Sequence, residues 1–254
     1  MRAPKKLAGK RIAVLAADGF ENIELVAPVA ALKEAGAEVA IVALHSGRIR
    51  GMNLHQSAEL LRVDKTVNDA RAHDYDGLLI PGGYISPDLL RQSAQARDFV
   101  RALNALGKPI ALLSQAPLVL ASAGLATSRT LTSWPGVRDD LVNAGATWLN
   151  EKVVRDSNWL SSRGPQDMAP FIGEMISFFA GEAESSSALR HAHSDPQREE
   201  PSEMPGQALH WLATPSVRAM LSLALLGVGV VAANRGRGKR RTTDATVQAS
   251  AERK

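Results

Sequence analysis

The chain has no cysteine. That absence removes disulfides, thiolate metal ligands and thiol nucleophiles together, so any chemistry must run on oxygen and nitrogen groups. Aromatic residues are scarce too, at 4% of 254, too few for a platform that stacks nucleobases. A surplus of positive charge is lacking over most of the chain. The net charge of +4 is traced to one short stretch holding Arg235, Arg237, Lys239, Arg240 and Arg241, so no specific nucleic-acid partner is expected. Met1 to Lys10 contains no apolar run of the kind a secretory signal needs, and a cytoplasmic domain is the default expectation. What remains is an ordinary globular composition, 45% apolar and 22% charged, on a chain long enough for one core plus an extension.

The apolar pattern predicts alternating strands and helices. Arg11 to Ala17 reads as a strand, Asn22 to Ala35 has helical spacing, Gly36 stands where a helix ends, and Glu38 to Leu44 supplies a second strand. The cycle repeats with a strand at Gly77 to Pro81, a helix at Ala94 to Leu106 and a strand at Ile110 to Ser114. Pro117 to Ala123 reads as a helix, Thr130 to Thr132, Val153 to Val154 and Trp159 to Ser162 as short strands, and Ala169 to Ala180 as a closing helix. Such alternation implies an α/β domain over residues 9–181, with a mostly parallel sheet covered on both faces.

Beyond Gly181 the composition turns to Ser, Glu, His, Pro and Gln, which cannot bury a core, and a disordered linker is expected over residues 182–208. His191 and His193 form an H-x-H pair there with no third ligand at suitable spacing, so neither a metal nor a cofactor is expected. Residues 209–234 are expected to form an apolar helix, followed by a basic tail over 235–254. The uncharged part, Ala219 to Ala233, rises ~23 Å as a helix against a hydrocarbon core of ~30 Å. Flanked by Trp211 and the basic cluster, this segment suits attachment at a membrane surface; folding back on the domain, or self-association through Gly227 and Gly229, is the alternative.

In an open parallel sheet, ligands bind outside the carboxyl ends of the strands, so the turns that follow them are the candidates. Three stand out: Asp18-Gly19-Phe20-Glu21, Pro81-Gly82-Gly83-Tyr84 and Ser114-Gln115-Ala116-Pro117. Gly82 and Gly83 can aim backbone N–H groups into a cleft, although a Gly-Gly pair is equally a plain tight turn. Ser114, followed by small Ala116 and helix-opening Pro117, has the layout of a nucleophile elbow and is expected in a strained conformation at a strand end.

The segments DGFENIEL (Asp18 to Leu25), YDGLLIPGG (Tyr75 to Gly83), GKPIALLSQAPLVLASAGL (Gly107 to Leu125), LTSWPGVRDDLVNAGATW (Leu131 to Trp148) and SSRGPQDMAPF (Ser161 to Phe171) resemble the DJ-1/PfpI superfamily, in its PfpI-like branch. The resemblance implies a flavodoxin-like three-layer sandwich of the class I glutamine amidotransferase-like type, assembled as a homodimer or higher homo-oligomer. Its members have been assigned protease, glyoxalase, deglycase and stress-related roles, with a cysteine, histidine and glycine in succession at the elbow. Here those positions are Ser114, Gln115 and Ala116. The resemblance matches the cysteine's acidic partner to Glu21, takes the oxyanion-hole amides from Gly83 and Gln115, and places Asp88 near a neighbouring subunit's site.

A thiol with a reference pKa of about 8.5 is readily activated, whereas a serine hydroxyl needs an adjacent base. His45, His55 and His73 fall on none of the matching positions, and Ala116 is expected to crowd the pocket floor. The expectation is therefore a non-catalytic or catalytically altered member, a pseudoenzyme that binds a small carbonyl ligand or a partner. The alternative is a hydrolase, deglycase or glyoxalase-like enzyme using Ser114 or Glu21.

Overall fold

In a computed structural model, which describes residues 5–182 and 193–196, the apolar runs become a stack of parallel strands. In chain order the elements are β1 (Arg11–Leu15), β2 (Phe20–Glu21), α1 (Asn22–Glu34), β3 (Glu38–Ala43), β4 (Arg48–Asn53), β5 (Gln56–Arg62), β6 (Lys65–Thr66) and β7 (Gly77–Ile80). There follow α2 (Ser86–Gln92), α3 (Ala94–Ala105), β8 (Ile110–Leu113), α4 (Pro117–Ser122), β9 (Thr130–Leu131), α5 (Arg138–Asn143) and β10 (Thr147–Trp148). The last are β11 (Val153–Asp156), β12 (Trp159–Ser162) and α6 (Met168–Ala180).

The central sheet has the order β11-β12-β8-β7-β1-β3-β6, parallel except for the antiparallel edge strand β11. Strands β7 and β8 are buried at every position, and β1 at all but its first, because helices cover both faces. Side chains alternate between the two covers. Ala13, Leu15, Leu78, Ile80 and Leu112 pack with Phe99 and Leu103 of α3 and Leu120 of α4. Ile12, Val14, Leu79 and Leu113 pack with Leu25 and Leu32 of α1 and Phe171, Met175 and Phe178 of α6. The result is the flavodoxin-like three-layer sandwich. Chain order reverses between β1 and β7, so their carboxyl ends and that of neighbouring β8 open onto a common crevice.

Several elements carry no apolar run and were not anticipated. The hairpin β4–β5, joined to β2 in a separate sheet, is largely exposed and polar. Helices α2 and α5 and the two-residue strand β10 are too short for periodicity to register.

Two parts of the expected linker, Glu182 and residues 193–196, fall among the described residues. Glu182 donates its N–H to Ser177 O and pairs with Lys6 at 2.8 Å, and Ser194 and Asp195 are tied to Trp148 and Asn150. Polar side chains that satisfy a strand edge order a segment without burying a core. Residues 183–192 and 197–208 of the linker, the apolar segment 209–234 and the basic tail 235–254 lie outside the described residues. Among the described residues, no helix is long and apolar enough to cross a membrane.

Candidate functional site

Ser114 follows the last residue of β8 and has φ +57°, as the elbow reading requires. A left-handed conformation costs a non-glycine residue about 1–2 kcal/mol. Two backbone hydrogen bonds hold it there: Ser114 N–H donates to Ser162 O, and Trp134 N–H donates to Ser114 O, both at 3.0 Å. The side chain is buried, at 3% exposure. Helix α4 behind it has only six residues, so its end charge contributes little.

The Gly82-Gly83 turn meets Ser114 from β7, and here the tight-turn reading is insufficient. A Cβ on Gly82 would lie 2.4 Å from Glu24 Oε2 and 2.5 Å from Ser114 Cβ. Gly83 has φ +112°, and a Cβ there would lie 2.5 Å from Gly19 O. Three turns therefore touch at their backbones, which no larger residue would permit.

Two carboxyl groups enter from the start of α1. Glu24 is fully enclosed, and its Oε2 accepts the Gly82 N–H at 2.7 Å. Burial and the charge of neighbouring Glu21 push its pKa up to about 8, against the opposing influence of the Gly82 N–H and the Ser114 side chain. Glu21 Oε2 accepts the Leu54 N–H at 3.0 Å, while its Oε1 is buried without a partner. Burial raises its pKa as well, only partly offset by the Leu54, Ile23 and Asn22 amides.

Glu24, three residues beyond Glu21, is the carboxyl that meets the Ser114 side chain and the Gly82 amide, whereas Glu21 binds the Leu54 amide. The i, i+3 spacing within DGFENIEL was the available signal, since it sets both carboxyls on one side of the helix start. Gln115, 8% exposed, accepts the Gly83 N–H on its own Oε1 at 3.2 Å. One of the two expected oxyanion-hole amides is consequently occupied by the protein itself. Ala116 is completely buried and packs in the core beneath the turn, so it does not crowd the pocket floor as expected.

Outside this cluster lies an open depression of about 390 Å³. Its lining includes Gly83, Tyr84, Asp88 and Gln115, which the sequence reading had singled out, and Arg91 and Trp134, which it had not. Asp88 is exposed, pairs with Arg91 at 3.0 Å and accepts from Gln92 Nε2 at 2.9 Å. Of the histidines, His45 is held by Asp18 at 2.8 Å on the exposed side of the first turn. Among the described residues, no three His, Asp or Glu side chains are grouped to hold a metal ion.

Comparison with known proteins gives a consistent result. The DJ-1/PfpI family pattern matches residues 10–177. Deglycase PfpI of Pyrococcus furiosus is 37% identical over 166 residues, 65% of this chain and 97% of that protein. The putative cysteine protease YraA of Bacillus subtilis is 38% identical over 168 residues, 66% and 96% of the two chains. Among solved structures, Drosophila melanogaster DJ-1beta matches with a TM-score of 0.62 at 28% identity, covering 68% of this chain and 91% of that one. A two-domain protein of Anabaena variabilis, with DJ-1/ThiJ/PfpI-like and ferritin-like domains, matches at 0.63 and 31% identity; the match covers 68% of this chain and 48% of that protein.

Proposed function

The chain belongs to the DJ-1/PfpI family, and from that premise we propose that it is a ligand-binding member whose pocket holds a small carbonyl compound without turning it over. The observation that carries this reading is the hydrogen bond from Gly83 N–H to Gln115 Oε1. An amide that would stabilise a developing oxyanion is satisfied by a neutral side chain of the same site, and a donor already spent cannot lower a transition state. The chemistry of Ser114 points the same way. The carboxyl beside it, Glu24, is protonated below about pH 8, so near neutral pH it is a poor acceptor for the serine proton. The names deglycase and putative cysteine protease belong to relatives, whereas this chain has no thiol to offer.

The test is turnover of methylglyoxal and of a peptide by the full chain and by Ser114→Ala. Equal, background-level rates are expected, together with saturable binding of the carbonyl compound to both. Wild-type turnover abolished by the substitution would overturn the proposal. A second reading, general-base chemistry on small carbonyls, is favoured by one feature, the unpartnered Glu21 Oε1. It requires turnover that Glu21→Gln removes and Ser114→Ala spares. Within the ligand-binding reading we place the protein in a cytoplasmic, stress-related role as a homo-oligomer, with residues 209–254 attaching it to a membrane surface. Sedimentation of membranes with the full chain checks the last point, and a wholly soluble protein would remove it.

A further inference from the structure

Strand β10 has one edge paired with β9 and one edge facing away. Thr147 N–H donates to Arg129 O and Leu149 N–H to Leu131 O, at 2.8 and 2.9 Å, on the β9 side. Strand alternation sends the intervening groups the other way. Each of them finds a partner in a dipeptide that lies beyond the residues matched by the family pattern. Trp148 N–H donates to Ser194 Oγ at 2.9 Å, Trp148 O accepts the Asp195 N–H at 2.8 Å, and Asn150 N–H donates to Asp195 Oδ2 at 2.7 Å. Arg138 Nε–H of α5 donates to Asp195 O at 2.8 Å. An edge that would otherwise present unpaired amides is closed by two residues acting mostly through side-chain acceptors.

The residues gripped by this dipeptide stand one contact behind the lining of the depression. Trp148 Nε1–H donates to Ser133 Oγ at 2.9 Å, and the next residue, Trp134, lines the depression and donates its N–H to Ser114 O. Asn150 Oδ1 accepts from Arg163 at 2.9 Å, and Arg163 precedes Gly164, where an added Cβ would lie 3.6 Å from Ser114 Oγ. Two short routes therefore join the dipeptide to the elbow. We propose that Ser194–Asp195 is an intramolecular latch: it occupies the outer edge of β10, denies that edge to any other extended chain, and braces from behind the residues that carry Trp134 and Gly164 toward Ser114.

Amide hydrogen exchange on the full chain tests the latch, because neighbouring amides on one strand report opposite edges. Replacing both Ser194→Ala and Asp195→Ala should speed exchange at Trp148 and Asn150 by about tenfold or more, while Thr147 and Leu149 keep their protection from β9. Asp195→Asn, which retains a side-chain oxygen acceptor, should keep Asn150 protected. Unchanged exchange at Trp148 and Asn150 in the double variant would overturn the proposal. So would equal loss at all four amides, which would mean that β10 had simply come apart. Protection at Trp148 that falls on dilution of the wild-type protein would put the occupant on a second copy and overturn the intramolecular latch.

Discussion

Burying Glu24 beside Glu21 leaves two carboxyl groups that ionise against each other and against a dry surrounding. The pKa of Glu24 in the fold, about 8, lies above its ordinary value of 4.5, so over that interval the folded protein binds the proton more tightly than the unfolded chain. Stability attributable to this group is therefore highest at low pH, declines as pH rises through the interval, and stays low above it. Glu24→Gln keeps an acceptor for Gly82 N–H and cannot ionise. Its melting temperature should fall less than the wild type's between about pH 5 and pH 9; parallel falls would show that Glu24 does not set the alkaline slope. Ser114 offers a second test of strain. Ser114→Gly and Ser114→Ala both lose the hydroxyl, but only glycine relaxes at φ +57°, so the glycine variant should be the more stable by about 1 kcal/mol. Chemical denaturation measures the difference, and an alanine variant equal to glycine would mean the turn is unstrained.

At the scale of elements, the site exists because three strand-to-helix connections touch. Gly82→Ala should cost roughly 1–3 kcal/mol, since its methyl would displace both the Glu24 carboxyl and Ser114. A melting temperature within one degree or so of wild type would show that the turns separate easily. The hairpin β4–β5 is tied to the same region by Asp18, whose carboxylate accepts the Arg50 N–H at 2.9 Å and binds His45. The Asp18 hydrogen bond raises the His45 pKa. The stabilisation from that link is complete below the usual histidine range and is lost as pH rises through the raised value. Partial burial acts to raise the Asp18 pKa, yet hydrogen bonds from His45 and Arg50 outweigh it, so the carboxylate side of the link persists until strongly acidic pH. In Asp18→Asn, the imidazole titration followed by NMR should move down; an unmoved His45 would mean that the contact is not formed in solution. Strong periodic elements were legible beforehand, as for α3, expected at Ala94 to Leu106 and found at Ala94–Ala105. The hairpin was not, because Arg48 to Arg62 buries few side chains and so leaves no alternation of apolar residues to read.

On the scale of the molecule, three of the five large apolar side chains left exposed among the described residues lie together beside the depression: Tyr84 is 58% exposed, Ile85 48% and Leu89 36%. A patch of this kind suits a second copy of the chain. Sedimentation of the full protein should give a dimer or larger species that Ile85→Glu dissociates, and a wild-type monomer at micromolar concentration would count against assembly. Asp88 and Arg91 lie on α2 along with Leu89, so an assembly through this face would bring a neighbour to the mouth of the pocket.

The sequence alone determined the layered α/β architecture, since runs such as IALL and GLLI can be satisfied only in a sheet covered on both sides. It also determined the absence of thiol chemistry and the elbow at Ser114, because composition and a strand-turn-helix order are local properties of the chain. Only the tertiary structure decided which carboxyl lies against Ser114. Glu21 and Glu24 differ by less than one helical turn, and the choice depends on how α1 packs against the Gly82 turn. It likewise decided that Gln115 covers the Gly83 amide, that Ala116 faces the core, and that Ser194 and Asp195 complete a strand edge. Each of these is a contact across more than thirty residues of sequence or a side chain's choice between two faces, and neither is encoded in local pattern.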